Sequence, residues 1–239
     1  MNFLIISGPC KLEREYTLML ESLEFDQRYF RRSCYRLHQP ISDMDWLELE
    51  QSANNSRIFA DLKVPASDIE MAQKALAHSF RRICTQVRLM HPLTQVEKLE
   101  GVMFCDRLPL SDNLHRKHAE HFFTSRFRQD PCVPRDIAID LYTAWITNSL
   151  GGSKHVAAIG INFCSFADLN GIRQIDLLSV VEKRRGYGTR IMQAVAADAK
   201  SKGLDEVWVT TEVENEAALK LYLNSGFDIK SFLSVFHFS

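Results

Sequence analysis

The sequence predicts an α/β protein, and three patterns predict it. Strand-like and helix-like stretches alternate over residues 33–90; an aliphatic run at 177–181 enters a basic segment containing Gly186 and Gly188; and strands and helices alternate again from there to the end. The first pattern and the last two fall on either side of a polar stretch at 95–100. Two units are therefore expected, a small one over residues 1–95 and a larger one over 100–239.

The 239 residues are 46% hydrophobic and 25% charged, enough apolar material for one large core or two modest ones. A net charge of −1 gives no overall pull toward nucleic acid or a membrane, so any anion site must be local. The apolar opening at residues 3–6 is too short for a signal peptide or a membrane span, and the chain reads as cytoplasmic. Six cysteines are scattered without a CxxC pair, and the eight histidines form no HExxH, so no metal is expected. His115, His118 and His121 recur at helical spacing and read as a polar or half-buried helix face.

Taken in order, residues 10–23 have the leucine and charge spacing of a short amphipathic helix, and 24–30 form an aromatic-rich turn. Strands are expected at 33–38, 56–64 and 81–90. Helices at 43–54, capped by Ser42 or Asp43, and at 66–78 connect them. This β-α-β-α-β order suits parallel neighbours joined by crossover helices. A strand at 101–110, a helix to about residue 124 and an interrupting loop at 125–131 follow. A helix over 135–150 carries Ile139, Tyr142, Trp145 and Ile146 in register and stops at Gly151-Gly152. Residues 156–166 read as a strand and 167–171 as a turn. After the glycine loop come a helix over 189–201, a strand over 207–211, a helix after Asn215 and a closing strand over 229–238.

The junction at 177–192 presents unpaired N–H groups at a helix start, where the helix dipole adds partial positive charge. Gly186 and Gly188 let the backbone approach an anion, and Lys183, Arg184, Arg185 and Arg190 add full charges. The same residues also suit an ordinary strand-to-helix turn with solvated cations. Arg126 and Arg128, flanking Phe127, can likewise be read as an anion clamp or as a solvated loop with the ring buried.

Two motifs resemble the GCN5-related N-acetyltransferase (GNAT) superfamily. Residues 183–189, Lys-Arg-Arg-Gly-Tyr-Gly-Thr, are similar to its Gln/Arg-x-x-Gly-x-Gly/Ala pyrophosphate loop for acyl-CoA. Asn215, Ala218, Leu221, Tyr222, Gly226 and Phe227 follow the spacing of its later helix beside the coenzyme A thiol. Lys183 departs from the Gln or Arg of the family, keeping the charge but losing the planar fork. The stretch between Gly152 and Ile175 is short for the two strands the superfamily places there, so a trimmed sheet or a very tight turn is expected. The order of elements, with 125–128 and 141–146, further resembles the dTDP-fucosamine acetyltransferases, which acylate an amine on a dTDP-linked dideoxy sugar for surface polysaccharides.

The resemblance implies a mixed, mostly antiparallel central sheet flanked by helices, with acetyl-CoA or a longer acyl-CoA as co-substrate and a nucleotide-linked amino sugar as acceptor. A homodimer is compatible with it. Cofactor contacts are implied at Leu178, Ser179, Val180, Lys183, Arg184, Arg185, Gly186, Tyr187, Gly188, Thr189 and Arg190, with the Leu178 N–H polarising the thioester. Tyr222 takes the position of a general acid for the leaving thiolate, with packing on its helix as the alternative. Asn215 either bonds the pantetheine arm or fixes the strand end. Arg126, Arg128, Phe127, Tyr142 and Asp176 are the implied acceptor contacts, the arginines clamping a pyrophosphate. Asp176, Glu212, His155 or a water chain are open as the base. An acetyltransferase of proteins or small amines and a non-catalytic acyl-CoA-binding module are the two other functions compatible with these motifs.

Overall fold

The computed structural model describes residues 20–94, 96 and 100–239. Most of the expected helix at 10–23, and most of the link at 95–100, lie outside the described residues. The strands are β1 (Leu20–Ser22), β2 (Ser33–Leu37), β3 (Ile58–Pro65), β4 (Arg81–His91), β5 (Met103–Cys105), β6 (His155–Ile159), β7 (Asn162–Leu169), β8 (Ile172–Ser179), β9 (Glu206–Glu212) and β10 (Asp228–Phe238). The helices are α1 (Glu24–Phe30), α2 (Asp43–Asn55), α3 (Ile69–Ala77), α4 (Asp112–Glu120), α5 (Arg126–Gln129), α6 (Arg135–Asn148), α7 (Tyr187–Ser201) and α8 (Glu216–Asn224), with a π-helical turn at Ser149–Ser153 after α6.

Among the described residues ten strands join one mostly antiparallel sheet in the order β1-β2-β3-β10-β4-β9-β8-β7-β6-β5. Only β2 with β3 and β8 with β9 run parallel. The expected β-α-β-α-β unit is therefore interrupted. The last strand, β10, lies between β3 and β4 and is antiparallel to both. Two apolar faces explain the insertion: Phe236 of β10 packs with Leu62 and Val64 of β3 beneath α2 and α3. The division at 95–100 does not divide the sheet, because β4 pairs with β10 on one side and β9 on the other.

Several elements differ from their expected limits. Residues 24–30 form α1 rather than a turn, because Leu23, Phe25, Tyr29 and Phe30 all pack on the same core, and Arg31 ends the helix at φ 51°. The strand at 101–110 shrinks to three residues, α4 stops at Glu120, and the 125–131 loop contains the short helix α5. The strand expected over 156–166 is a hairpin: β6 and β7 turn tightly at Gly160, φ 58°, so both strands fit the short stretch. The following turn narrows to Asn170 and Gly171, φ 52° and 77°.

Helices α2 and α3 cover β2, β3 and β10, while α7 and α8 cover β4, β8 and β9 on the same face. On the other face, α1, α4, α5 and α6 bury Phe59, Phe127, Leu141, Ile146, Phe163 and Leu177. Capping is local where the sequence predicted it. Ser42 and Asp45 form a capping box at α2, and Asp68 receives the Met71 N–H at α3. Among the described residues, no helix is long and apolar enough to cross a membrane.

Candidate active site

The parallel pairing of β8 with β9 ends early. Ile172, Arg173 and Gln174 match Glu206, Val207 and Trp208, and from Ile175 onward β8 is paired only with β7. A wedge therefore opens between β8 and β9, with one edge of β8's backbone facing it. Arg173, fully buried, secures the closed end. It grips Asp168 with Nε and Nη2, both at 2.8 Å, reaches Asp198 at 2.8 Å and donates to the Val195 carbonyl of α7.

The register of β8 shifts between Ile175 and Leu177, leaving Asp176 as the extra residue of a bulge. The bulge turns Asp176 toward α6, as bulges do when they re-aim a side chain. There its Oδ2 accepts from Trp145 Nε1 at 3.1 Å, Ser149 Oγ at 2.8 Å and Ser165 Oγ at 3.4 Å. Leu178 faces the opposite core, among residues of α7 and α8. The Ser179 side chain is buried and lies 2.7 Å from His118 Nδ1 of α4. Burial pushes that imidazole down to about 4, with His121 and His115 adding to the effect.

Beyond Ser179 the chain is latched before it reaches the glycines. Asn162 Oδ1 accepts the Val181 and Glu182 N–H groups at 3.0 and 3.1 Å, while its Nδ2 donates to Glu182 Oε2 at 2.8 Å. Nothing in the sequence around Asn162 marked it for this role. Lys183, Arg184 and Arg185 are exposed, and none has an ion-pair partner among the described residues. Gly186 caps α7 at φ 71°, a conformation that favours glycine. The ladder of α7 begins with the Arg190 N–H donating to the Gly186 carbonyl at 3.1 Å, so the N–H groups of Tyr187, Gly188 and Thr189 precede it. The loop thus combines free cations, early helix N–H groups and the positive end of a fifteen-residue helix. Arg190 is not among the free cations: its Nη2 is spent on the Glu100 carbonyl at 3.1 Å.

Helix α8 borders the wedge on the side of α7. Asn215 caps it, accepting the Ala218 N–H at 3.3 Å, and its Nδ2 reaches Thr211 Oγ1 of β9 at 3.3 Å. These bonds tie the start of α8 to the end of β9. Tyr222 is buried in the α7/α8 core beside Phe227. Burial first, then the neighbouring Cys164 thiol and Glu212 carboxylate, push its phenol well above the ordinary value, so it keeps its proton at neutral pH.

Glu212 ends β9 on the sheet face opposite Val207 and Val209. Its Oε1 accepts from Gln86 Nε2 at 3.1 Å and from the Arg126 backbone N–H at 3.3 Å. Its Oε2 accepts nothing among the described residues. The Tyr222 phenol and the Glu212 carboxylate thus belong to opposite faces of the sheet and are electrostatically coupled.

The other candidates are placed elsewhere. His155 is exposed and pairs with Asp106 at 2.7 Å, on a strand two removed from β8. Arg126 and Arg128 do not form a shared clamp. Arg126 is buried, its Nη2 3.4 Å from Asp61, whereas the charges around Arg128 are Arg135 and Glu120. A helical turn, not an exposed loop, holds them, so the two side chains diverge. Phe127 and Tyr142 are core residues rather than stacking surfaces. Phe127 packs among Phe30, Phe59 and His237, and Tyr142 stacks on Phe122 at 4.9 Å.

Residues 150–227 match the Acetyltransferase (GNAT) family. That stretch is a GNAT acetyltransferase domain. The match spans β6 to α8 and so contains the wedge, the glycine loop and Tyr222. The dTDP-fucosamine acetyltransferase of Escherichia coli O6:H1 is 30% identical over 116 residues, covering 46% of this chain and 51% of that protein. The N-alpha-acetyltransferase 30 of Schizosaccharomyces pombe is 40% identical over 55 residues, 22% of this chain and 37% of that protein. The chain thus spans about half or less of the length of these curated relatives. A GCN5-related N-acetyltransferase from Sphaerobacter thermophilus superposes with a TM-score of 0.60, covering 92% of this chain and 75% of its own, at 17% identity. That likeness is one of fold, and it extends to the strands before residue 95.

Proposed function

We propose that the chain is an N-acyltransferase that moves an acyl group, acetyl or a longer one, from acyl-CoA directly to the amine of a dTDP-linked amino sugar. The observation that carries this reading is the convergence at the open wedge. The cationic loop and the start of α7 meet one end, and Tyr222 and Glu212 flank it from opposite faces.

In this reading the early N–H groups of α7, with Lys183, Arg184 and Arg185, hold the coenzyme A pyrophosphate. The pantetheine arm lies along the unpaired edge of β8 from Ile175 to Val180, where the Leu178 N–H polarises the thioester carbonyl. Glu212 Oε2 takes a proton from the acceptor ammonium, and the neutral amine adds to the carbonyl. Collapse of the tetrahedral intermediate expels the thiolate, which Tyr222 protonates, and the tyrosinate regains its proton from the former amine nitrogen, leaving the neutral amide. Asp176 is less suited to the base role because three donors already converge on its Oδ2, and His155 is two strands away.

The dTDP-sugar acceptor rests on similarity to the dTDP-fucosamine acetyltransferase. A second acceptor class, a peptide or protein amine, is supported by the shorter stretch similar to N-alpha-acetyltransferase 30. Acetyl-CoA incubated with the chain and a panel of dTDP-amino sugars and N-terminal peptides, read by mass spectrometry, separates them. Acetylated sugar nucleotide supports the first reading, and acetylated peptide alone replaces it with the second.

A further inference from the structure

The face of the sheet that carries Glu212 holds a group of charges that acyl transfer, as described above, does not use. Asp61 and Lys63 stand two apart on β3 and share that face. Asp61 is fully buried, and its Oδ2 is claimed by two guanidinium groups. Arg36 donates from Nε and Nη2 at 3.2 and 3.1 Å, and Nη2 of Arg126 lies 3.4 Å away. Burial alone would raise the Asp61 carboxyl, but Arg126, Lys63, His237 and Arg36, in that order, hold it well below the usual range.

Lys63 sits in the same electrostatic neighbourhood, which includes Asp61, Arg36, Arg126 and Glu212, yet its ammonium makes no ion pair or hydrogen bond among the described residues. It is only half-buried, so solvent or a ligand reaches it. Nε of Arg126 is buried and also lacks an acceptor. Arg36, Lys63 and Arg126 thus share their surroundings with the carboxylates of Asp61, Asp26 and Glu212, and two of their donors, the Lys63 ammonium and Nε of Arg126, have no acceptor among the described residues. Burial, then the Arg126 charge, push the Lys63 ammonium down to about 8, although Asp61 and Glu212 pull the other way.

Arg126 links this group to the wedge, since its side chain reaches Asp61 while its backbone N–H holds Glu212. From β9 through β4 and β10 to β3 is three inter-strand steps, on the order of 14 Å between backbones. Long side chains shorten that span to the scale of a single small molecule. A ligand with its amine at Glu212 would place a second group over Lys63, and the unmet donors there call for an anion.

We infer that Lys63, with Nε of Arg126, forms a subsite for the phosphate or pyrophosphate of the amine acceptor. A phosphate offers several acceptor oxygens to a point-like ammonium and a fixed guanidinium N–H, which a neutral sugar or an aliphatic amine does not. The inference rests on the N-acyltransferase reading and names what its acceptor must carry. It also gives β3 a function: the acceptor site is incomplete without a strand that precedes the GNAT match.

The test uses the full chain saturated with coenzyme A, so that the loop before α7 is filled, and inorganic pyrophosphate as the probe. Calorimetric titration is expected to show one pyrophosphate site. Lys63→Gln should weaken it by roughly 10-fold or more, the size of one charged hydrogen bond, while Lys63→Arg stays within about threefold of wild type. In steady-state assays pyrophosphate should compete with the amine acceptor and not with acyl-CoA. Lys63→Gln should raise KM for phosphate-bearing amines and leave KM for acyl-CoA and for phosphate-free amines unchanged. Absence of a site, equal binding by wild type and Lys63→Gln, or inhibition that does not compete with the amine would overturn the inference. The competition pattern of the wild-type chain and the Lys63→Arg result decide the question even if Lys63→Gln does not fold. Failure of coenzyme A itself to bind would instead contradict the acyl-CoA reading, and the inference would fall with it.

Discussion

Gly188 on α7 lies directly against Leu221 on α8: a Cβ added to Gly188 would collide with Leu221 Cδ1 and touch Val180 Cγ2. The glycine loop and the Asn215–Phe227 motif, 26 residues apart at their nearest ends, are therefore the two sides of one contact. Gly186 is required for a different reason. It has open space around it but a φ of +71°.

The two glycines should consequently fail differently. Gly188→Ala makes the Leu221 side chain turn away or pushes α8 back from α7, an overpacking cost of about 1 to 3 kcal/mol at the start of the helix. Gly186→Ala meets no neighbour and costs about 1 to 2 kcal/mol of left-handed strain. Thermal melts should show both losses. Calorimetric titration with acetyl-CoA should show the larger loss of affinity for Gly188→Ala.

Tyr222→Phe removes the phenol while keeping the ring against Phe227. The turnover number should fall about 10²- to 10³-fold, with KM for acyl-CoA within a factor of about two of wild type. Full turnover in this variant would mean that Tyr222 is a packing residue.

Glu212→Gln, Asp176→Asn and His155→Ala rank the three base candidates. Of the three, only Glu212 is electrostatically coupled to Tyr222, and three donors already converge on Oδ2 of Asp176. Steady-state kinetics should give a loss of about 10²-fold or more for Glu212→Gln and near-normal turnover for His155→Ala. Asp176→Asn should instead lower thermal stability, because one acceptor loses its charge toward three donors.

His118 makes stability depend on pH. Its folded value of about 4 lies below the ordinary 6.5, so between the two the unfolded chain binds a proton that the folded chain refuses. The stability is fully present above about pH 6.5 and is lost as pH falls toward 4, by on the order of 3 kcal/mol at the bottom of that window. His91, His115, His121 and His237 shift in the same direction, with burial the first cause in each. Denaturant melts from pH 7 to 4 should show the fall, and His118→Gln should flatten part of it.

The wedge-forming half was legible because its features are local. Strand, glycine loop and helix follow one another in sequence, and caps such as Asn215 act within three residues. The acceptor side was less legible because its contacts are long-range. Asp61 and Lys63 alternate with Leu62 and Val64 as on a strand with one wet face, and nothing local reveals that Arg126 and Glu212 close over that face. Arg126 itself looked like a surface cation, since its ion partner lies 65 residues earlier in the chain. The place of β10 between β3 and β4 was hidden for the same reason, as strand order follows from packing partners distant in sequence.

The most direct measurement is release of free coenzyme A thiol from acetyl-CoA with and without a dTDP-amino sugar, in the wild-type chain and in Tyr222→Phe. The account predicts thiol release that requires the amine, matches acylated sugar one for one and falls about 10²-fold or more in the variant. Binding of acetyl-CoA with no thiol released in the presence of any amine would contradict it.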